Sequence, residues 1–368
     1  MSATIDRSTW KRVRLGDVLQ VCHGKCQHSI ESNTGKYPIL ATSGEIGRTD
    51  SYLYDKPSVL IGRKGTIDKP QYIDSPFWTI DTLFYTKIAE GYNPKFLYYL
   101  CLTIDWTSMN EASGVPSLSA NRIESLEVTI PGVDEQDKIS NALSSIDKHV
   151  STLDALIAKY EAIKKATVNL LLRPKVDWRI VPLGEICEVC STRRVHESDW
   201  TDSGVPFYRA RELVALNDGR SITPLHISEK LYNELIASSG IIRPGDLLVT
   251  GVGSIGVPYL VKENDRFYFK DGNIIWFKNR GEIWPDYFLH AFRSDHIQKQ
   301  IMEMACVGTV GSYTITNGKR TLIALPPLDE QKRIVEILDS LDGTISGLKS
   351  QLAKAQDIKQ GMMSYFFG

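Results

Sequence analysis

Asp329-Glu330-Gln331-Lys332-Arg333-Ile334-Val335-Glu336-Ile337-Leu338 opens the last part of the chain, a run that continues to Phe367. An equivalent run, Asp134-Glu135-Gln136 onward to Leu172, stands in the middle of the 368-residue sequence. Apolar residues fall at Ile139, Leu143, Ile146, Val150, Leu153, Ile157 and Tyr160 in the middle run. They fall at Ile334, Leu338, Leu341, Ile345, Leu348, Leu352 and Ala355 in the last. Steps of four and three alternate in both, which makes a narrow seam that an α-helix must bury against another helix of the same kind. The runs agree at 13 of 39 positions under a constant offset of 195. They are a duplication, and the two helices are predicted to pair with each other.

The duplication extends outward from the helices. Trp10 to Cys22 and Trp178 to Cys190 share six of 13 positions at an offset of 168, including Leu15-Gly16 and Leu183-Gly184. Tyr37-Pro38-Ile39-Leu40 is echoed by Val205-Pro206-Phe207-Tyr208, and Ile130-Pro131 by Leu325-Pro326. Within each globular part, short β-branched and aromatic runs such as Val59-Leu60-Ile61 and Phe267-Tyr268-Phe269 are bounded by Gly, Pro, Asn and Asp, the pattern of strands joined by loops. One or two helices are expected in each, near Lys95 to Trp106 and Pro285 to Met304, at or after a proline. Proline followed by Asp-Glu then marks each long-helix start. At about 1.5 Å per residue the first long helix spans roughly 58 Å.

The expected class is therefore α+β: two globular domains, each followed by a long α-helix, with the helices paired as an antiparallel coiled coil in pseudo-two-fold symmetry. The boundaries are residues 1–133, 134–173, 174–328 and 329–368. A chain this long is expected to hold more than one core. Its start has no basic and apolar leader pattern, and nothing approaches about 18 uninterrupted apolar residues. A soluble, cytoplasmic protein is expected. Six cysteines in that setting are expected to be free thiols. Cys22-His23-x-x-Cys26 and Cys187-x-x-Cys190 have spacings that zinc could use. Cys22 and Cys190, however, close matching apolar stretches, so packing accounts for them better.

Candidate chemistry is thin. Gly251-Val252-Gly253-Ser254-Ile255-Gly256 fits a dinucleotide fingerprint in letters, but Pro258 and a strand-like Tyr259-Leu260-Val261 follow where a helix is required. The counterpart Gly62-Arg63-Lys64-Gly65-Thr66-Ile67 reads likewise as a glycine turn between strands. No phosphate loop, amino-methyltransferase motif or repeated His or carboxylate pair is present, so catalysis, metal binding and a cofactor of the chain's own are not expected. What does recur is basic residues, with one glutamine among them, in Gly/Ser/Asn-rich loops. They are Lys25, Gln27, Lys36, Arg48, Arg63 and Lys64 in the first half, and Arg193, Arg194, Arg209, Arg211, Arg220, Lys319 and Arg320 in the second. Arg and Lys reach guanine edges and phosphates, and Gln can read adenine, so the set is expected to form a DNA-facing surface. The net charge of −1 gives no global basic footprint, and any phosphate neutralisation must be local or shared with a partner.

Together these features resemble the specificity subunit of type I restriction-modification systems. The resemblance rests on the Pro-x-x-Asp-Glu-Gln helix entries at Pro131 and Pro326, the Leu-Gly-Asp/Glu openings, Val205-Pro206-Phe207-Tyr208-Arg209-Ala210-Arg211-Glu212-Leu213 and the Ile61 to Ile67 turn. It implies two target recognition domains, each reading half of a bipartite double-stranded DNA site. It also implies long helices that set the spacing and dock two modification (methyltransferase) subunits, with restriction subunits joining in the full complex. S-adenosylmethionine, ATP and Mg²⁺ would belong to those partners, and no membrane is involved. A coiled-coil adaptor that holds two protein ligands without reading DNA is the alternative; it would show apolar patches where the loop arginines are expected.

Overall fold

A computed structural model describes residues 7–270, 272–305 and 311–368. Contacts divide the chain into unit 1, Met1–Ala155 with Lys349–Gly368, and unit 2, Leu156–Leu348. The sequence of unit 1 elements begins β1 (Lys11–Arg14), α1 (Leu15–Val18), β2 (Leu19–Cys22), β3 (Tyr37–Ala41), β4 (Gly44–Thr49), β5 (Ser58–Gly62), β6 (Gln71–Ile73), β7 (Trp78–Thr79) and β8 (Leu83–Ile88). It continues with α2 (Pro94–Cys101), α3 (Ala120–Glu124), β9 (Glu127–Ile130) and the long helix α4 (Val133–Leu171), which falls in unit 2 from Leu156 onward.

After α4 come β10 (Arg179–Pro182), α5 (Leu183–Ile186), β11 (Cys187–Cys190), β12 (Trp200–Thr201), β13 (Val205–Tyr208), α6 (Ala210–Asn217), β14 (Leu225–Ile227), α7 (Glu229–Ser239), β15 (Leu247–Thr250) and β16 (Pro258–Leu260). The remainder is β17 (Tyr268–Phe269), β18 (Ile274–Asn279), α8 (Pro285–Arg293), α9 (Asp295–Ala305), α10 (Ile315–Arg320), β19 (Leu322–Leu325) and the second long helix α11 (Leu328–Phe367).

The two units repeat one plan. In unit 1 a four-stranded antiparallel sheet runs β2-β8-β5-β6, and in unit 2 its counterpart runs β11-β18-β15-β16. A second sheet in each, three-stranded in unit 1 and four-stranded in unit 2, ends in a short parallel pair, β3·β7 in unit 1 and β13·β17 in unit 2. A two-stranded ribbon, β1·β9 or β10·β19, precedes the long helix. The duplicated Leu-Gly pair has a packing reason. A Cβ on Gly16 would sit 3.2 Å from the Glu124 carbonyl oxygen, and one on Gly184 3.1 Å from that of Lys319, so glycine lets α1 approach α3 and α5 approach α10.

The seam residues of both long helices are buried or half-buried, Leu143 and Leu338 fully. In unit 1, Ile139 and Leu143 of α4 join a core that Met363, Phe366 and Phe367 of α11 cover. In unit 2, Ile334 and Leu338 of α11 join a core that Val168 and Leu171 of α4 cover. Early residues of one helix thus meet late residues of the other, and the helices run antiparallel. Lys359 pairs with Asp147 at 2.6 Å in unit 1, and Lys164 pairs with Asp342 in unit 2. Both residues of one pair map onto those of the other by the 195-residue offset, so one register is specified twice.

Several sequence expectations need correction. The helix expected across Pro285 to Met304 is two, α8 and α9. Ser294 has extended backbone, its hydroxyl donates to the Ala291 carbonyl at 2.6 Å, and its Oγ accepts from Ile297 N–H at 3.4 Å, so it ends one helix and caps the next. The helix expected from Lys95 to Trp106 ends at Cys101. Unit 2 also carries α6 and α7, beyond the one or two helices expected. The glycine runs behave as turns: Gly253 and Gly256 have φ of 76° and 81° between β15 and β16, and Thr250 Oγ1 accepts from Val257 N–H at 3.0 Å.

The Gln of each Asp-Glu-Gln entry is 1% exposed and ties its long helix to the globular part. Gln136 Oε1 accepts from Asn93 N–H at 2.9 Å, and its Nε2 donates to the Pro131 carbonyl at 2.9 Å. Gln331 Oε1 accepts from Trp284 N–H at 2.7 Å, and its Nε2 donates to the carbonyls of Pro326 at 2.9 Å and Glu282 at 3.3 Å. Replacing it strands buried backbone groups, each worth about 1–3 kcal/mol when unmatched. Gln331→Leu is therefore expected to lower the stability of the full chain by about that much in urea unfolding. Gln360→Leu, on an exposed position of α11, is expected to leave it unchanged. Equal midpoints for the two variants would remove the latch from the account.

Candidate nucleic-acid interface

The short parallel pair of strands organises the basic residues in each unit. In unit 1, Lys25 N–H donates to Thr79 at the end of β7 at 2.8 Å, and the Lys25 carbonyl accepts from Trp78 Nε1 at 2.9 Å. Ile80 N–H donates to Leu40 of β3 at 3.1 Å, and Arg63 Nη1 donates to the Asp81 carbonyl at 3.1 Å. Lys64 follows in the same turn, and its neighbour Gly65 lies against Thr42, just past β3. Lys25, Arg63 and Lys64 are thus brought to the C-terminal end of β3·β7. Gln27 is half-buried two residues beyond Lys25, its carbonyl accepting from Ile30 N–H at 2.9 Å.

Lys36 and Arg48 lie at the other end of β3, where Pro38 pairs with Arg48. The Lys36 ammonium stands 5.3 Å from the Tyr37 ring centroid. Arg48 donates to Glu45 at 3.0 Å and to the carbonyls of Gly35 and Lys36 at 3.3 Å, so its guanidinium is engaged within the β3–β4 hairpin.

Unit 2 repeats the arrangement with more charge. Thr192 Oγ1 donates to the Phe269 carbonyl at 2.7 Å, and Arg193 N–H donates to the Tyr268 hydroxyl at 2.9 Å. Lys270 N–H donates to the Tyr208 carbonyl at 2.9 Å, immediately before Arg209 and α6. Arg193, Arg209 and Arg211 are thus brought to the C-terminal end of β13·β17, with Arg194 next in sequence. Lys25 and Arg193, 168 residues apart, occupy corresponding places. Arg220 sits past the far end of α6 and pairs with Asp218 at 2.8 Å. Lys319 packs its backbone on Gly184, which puts Lys319 and Arg320 at the end of α10 beside α5 rather than at the end of β13·β17.

Two residues of this edge were missed in the sequence. Lys270 directly follows the Phe267-Tyr268-Phe269 run, a position that could have drawn notice. Glu212, 4% exposed, left no such mark. Its Oε2 accepts from Arg209 N–H at 2.9 Å and Nε at 3.2 Å, and its Oε1 accepts from Arg209 Nη2 at 2.8 Å and Arg211 Nε at 2.7 Å. Burial pushes the carboxyl up, but hydrogen bonds from Arg209 and Arg211 outweigh it and hold the group below the ordinary value of 4.5.

A depressed carboxyl stabilises the fold above its unfolded value and loses that contribution as pH falls through the folded one. The stability gap between wild type and Glu212→Gln is accordingly expected to be full at neutral pH and to close below about 4.5 in urea unfolding across pH. A gap that does not change with pH would show that Glu212 is not held as a carboxylate.

The β11 cysteines and one His–carboxylate group bear on metal ligation. Cys187 and Cys190 are three apart on β11, and alternation along a strand sends their side chains to opposite faces, so they do not converge on one ion. Among the described residues one group, His290 with Asp339 and Asp342, brings ligand atoms within 4.8 Å of one another. His290 Nε2 and Asp339 Oδ1 are 3.0 Å apart, and Asp342 holds Lys164, so these groups already tie α8 and α4 to α11. In unit 1, Tyr99 of α2 is tied to Asp147 of α4 through a 2.7 Å hydrogen bond. No helix among the described residues is long and apolar enough to cross a membrane.

The chain is 23% identical over 350 residues to a putative type I restriction enzyme specificity subunit of Haemophilus influenzae, covering 90% of this chain and 87% of that one. It is 23% identical over 410 residues to the type I restriction enzyme MjaVIII specificity subunit of Methanocaldococcus jannaschii, covering 96% and 91%. Its fold is similar to the crystal structure of a type I restriction-modification system S subunit from M. genitalium, with a TM-score of 0.65 at 16% identity over 98% of this chain and 96% of that one. Residues 7–163 and 175–356 each match the model of the type I restriction modification DNA specificity domain. With two such domains covering most of its length, the chain belongs to the family of type I restriction-modification specificity subunits.

Proposed function

We propose that each unit reads one half of a bipartite double-stranded DNA target and that the chain thereby directs adenine methylation and restriction by partner subunits. The observation that carries this reading is the basic edge built twice at the C-terminal end of a parallel strand pair, with Lys25 and Arg193 in corresponding places. Phosphate contacts there would position the duplex, and base-edge contacts by Arg, Lys and Gln27 would choose the sequence. Specificity subunits are non-catalytic, so the chemistry falls to partners, which would bring S-adenosylmethionine, ATP and Mg²⁺.

Two modification subunits would dock on the long helices. Exposed apolar residues recur there at the 195-residue offset: Ile163 is 39% exposed and Ile358 55%, and Leu170 is 71% exposed and Tyr365 40%. Repeated exposed apolar side chains suit a partner bound twice. These four residues lie on the long helices. A near-neutral chain also fits a complex in which larger partners share phosphate neutralisation.

Exchanging residues 1–132 for the first globular part of another family member is expected to change one half of the methylated sequence, mapped with the assembled modification complex. Altered readout of both halves would count against independent recognition. The long helices would also act as a ruler: removing one heptad from each shortens each by about 10 Å and is expected to shorten the unspecified stretch between the halves. An unchanged stretch would rule the ruler out.

A further inference from the structure

The Arg209-Ala210-Arg211-Glu212 turn is hard to explain as a stabilising feature alone. Two guanidinium groups stand at the start of α6, where the helix dipole presents its positive end and disfavours cations. Glu212 is withdrawn from water, a cost that an ion pair recovers only with good geometry. Arg209 supplies that geometry: it is 22% exposed, grips the carboxylate through Nε and Nη2, and balances its charge.

Arg211 is then a second cation on a carboxylate already matched. Its side chain is 69% exposed, and only its Nε is engaged, at 2.7 Å from Glu212 Oε1. Among the described residues neither Nη atom of Arg211 forms a hydrogen bond. An exposed arginine ordinarily samples many rotamers, and ordering it on binding costs entropy. The bond to Glu212 removes part of that cost beforehand and fixes the plane of the fork. A phosphate accepts from almost any direction and could be served by a free lysine. A fixed plane with two parallel N–H donors suits a pair of adjacent acceptors instead, and among base edges the O6 and N7 of guanine supply that pair. Adenine places a donor, N6, beside its N7.

We infer that Glu212 is a positioning residue that holds the Arg211 guanidinium so that its two Nη groups read the O6 and N7 of one guanine in the half-site recognised by unit 2. This rests on the DNA-reading function proposed above and names a base and the residue pair that selects it.

The test maps methylated sites produced by the modification complex assembled with the wild-type chain, Arg211→Lys, Arg211→Ala or Glu212→Gln. Arg211→Lys changes an exposed position, keeps the charge and removes the fork. It is expected to lose roughly 10- to 100-fold of the discrimination at a single guanine in one half-site, with every other position unchanged. Arg211→Ala is expected to relax the same position. Glu212→Gln is expected to relax it by a smaller factor, a base-specific readout that a merely structural role would not move; should that variant fail to fold, the two Arg211 variants decide alone. A motif unchanged in the Arg211 variants would overturn the inference. So would weakening that is uniform over all sequences together with a shallower salt dependence, the signature of a phosphate contact. A wild-type complex that yields no two-part motif would remove the underlying reading as well, whereas a wild-type motif left intact in Arg211→Lys removes only this inference.

Discussion

One buried amide in each half, Gln136 and Gln331, is the interaction on which the rest of the architecture depends. A long helix leaving a globular part through a proline would be free to swing about its first turn. Here the amide oxygen takes a backbone N–H at the start of α2 or of α8, while the amide nitrogen donates to the carbonyl of the proline five residues upstream. Donor and acceptor both point inward, and no residue but glutamine has that shape and reach at this place. The helix therefore leaves in one direction, and the seam beyond it can meet its partner in one register. The pairs Lys359–Asp147 and Lys164–Asp342 are modest as ion pairs, being partly exposed, but as repeated marks they distinguish the correct register from one slipped by a turn.

The electrostatics follow a similar economy. With 43 basic and 44 acidic residues the chain has no overall attraction for DNA. The backbone gathers some of its cations at the ends of short parallel strands, and part of the positive charge of the set is committed to internal partners. Arg48 braces a hairpin, Arg220 meets Asp218, and Arg209 neutralises the buried Glu212. The cations free to face a ligand are fewer than the sequence suggests. Under the DNA-reading function proposed above, such a surface would discriminate by geometry more than attract by charge.

The long helices were legible in the sequence because a 3.5-residue apolar repeat sustained over 39 residues suits little besides a paired helix, and the duplication supplied each helix with its partner. The strand-turn-strand reading of Gly251 to Gly256 was legible for a local reason, the proline and apolar run that follow. Ser294 was not, since a serine inside an amphipathic run marks a helix interior and a cap equally well until its backbone is known. The helices α6 and α7 were hidden for another reason. They have no counterpart among the described residues of unit 1, so the internal repeat does not reveal them. The role of Glu212 is tertiary in origin: sequence shows an acid three residues after an arginine, while its burial depends on packing around α6.

The basic loop residues were legible as a set and not as a surface. Composition and loop context selected Lys25, Arg63, Arg193, Arg209 and Arg211 together with Lys36, Arg48, Lys319 and Arg320, which lie elsewhere. The difference is made by hydrogen bonds between residues distant in sequence, such as Thr192 to Phe269 and Lys25 to Thr79, and local pattern does not encode these. Whether two such edges work as two readers is decided most directly by sequencing DNA methylated by the assembled wild-type complex at single-base resolution. Two short specified segments separated by unspecified base pairs are predicted, and one uninterrupted motif would contradict the reading of the chain as two recognition units.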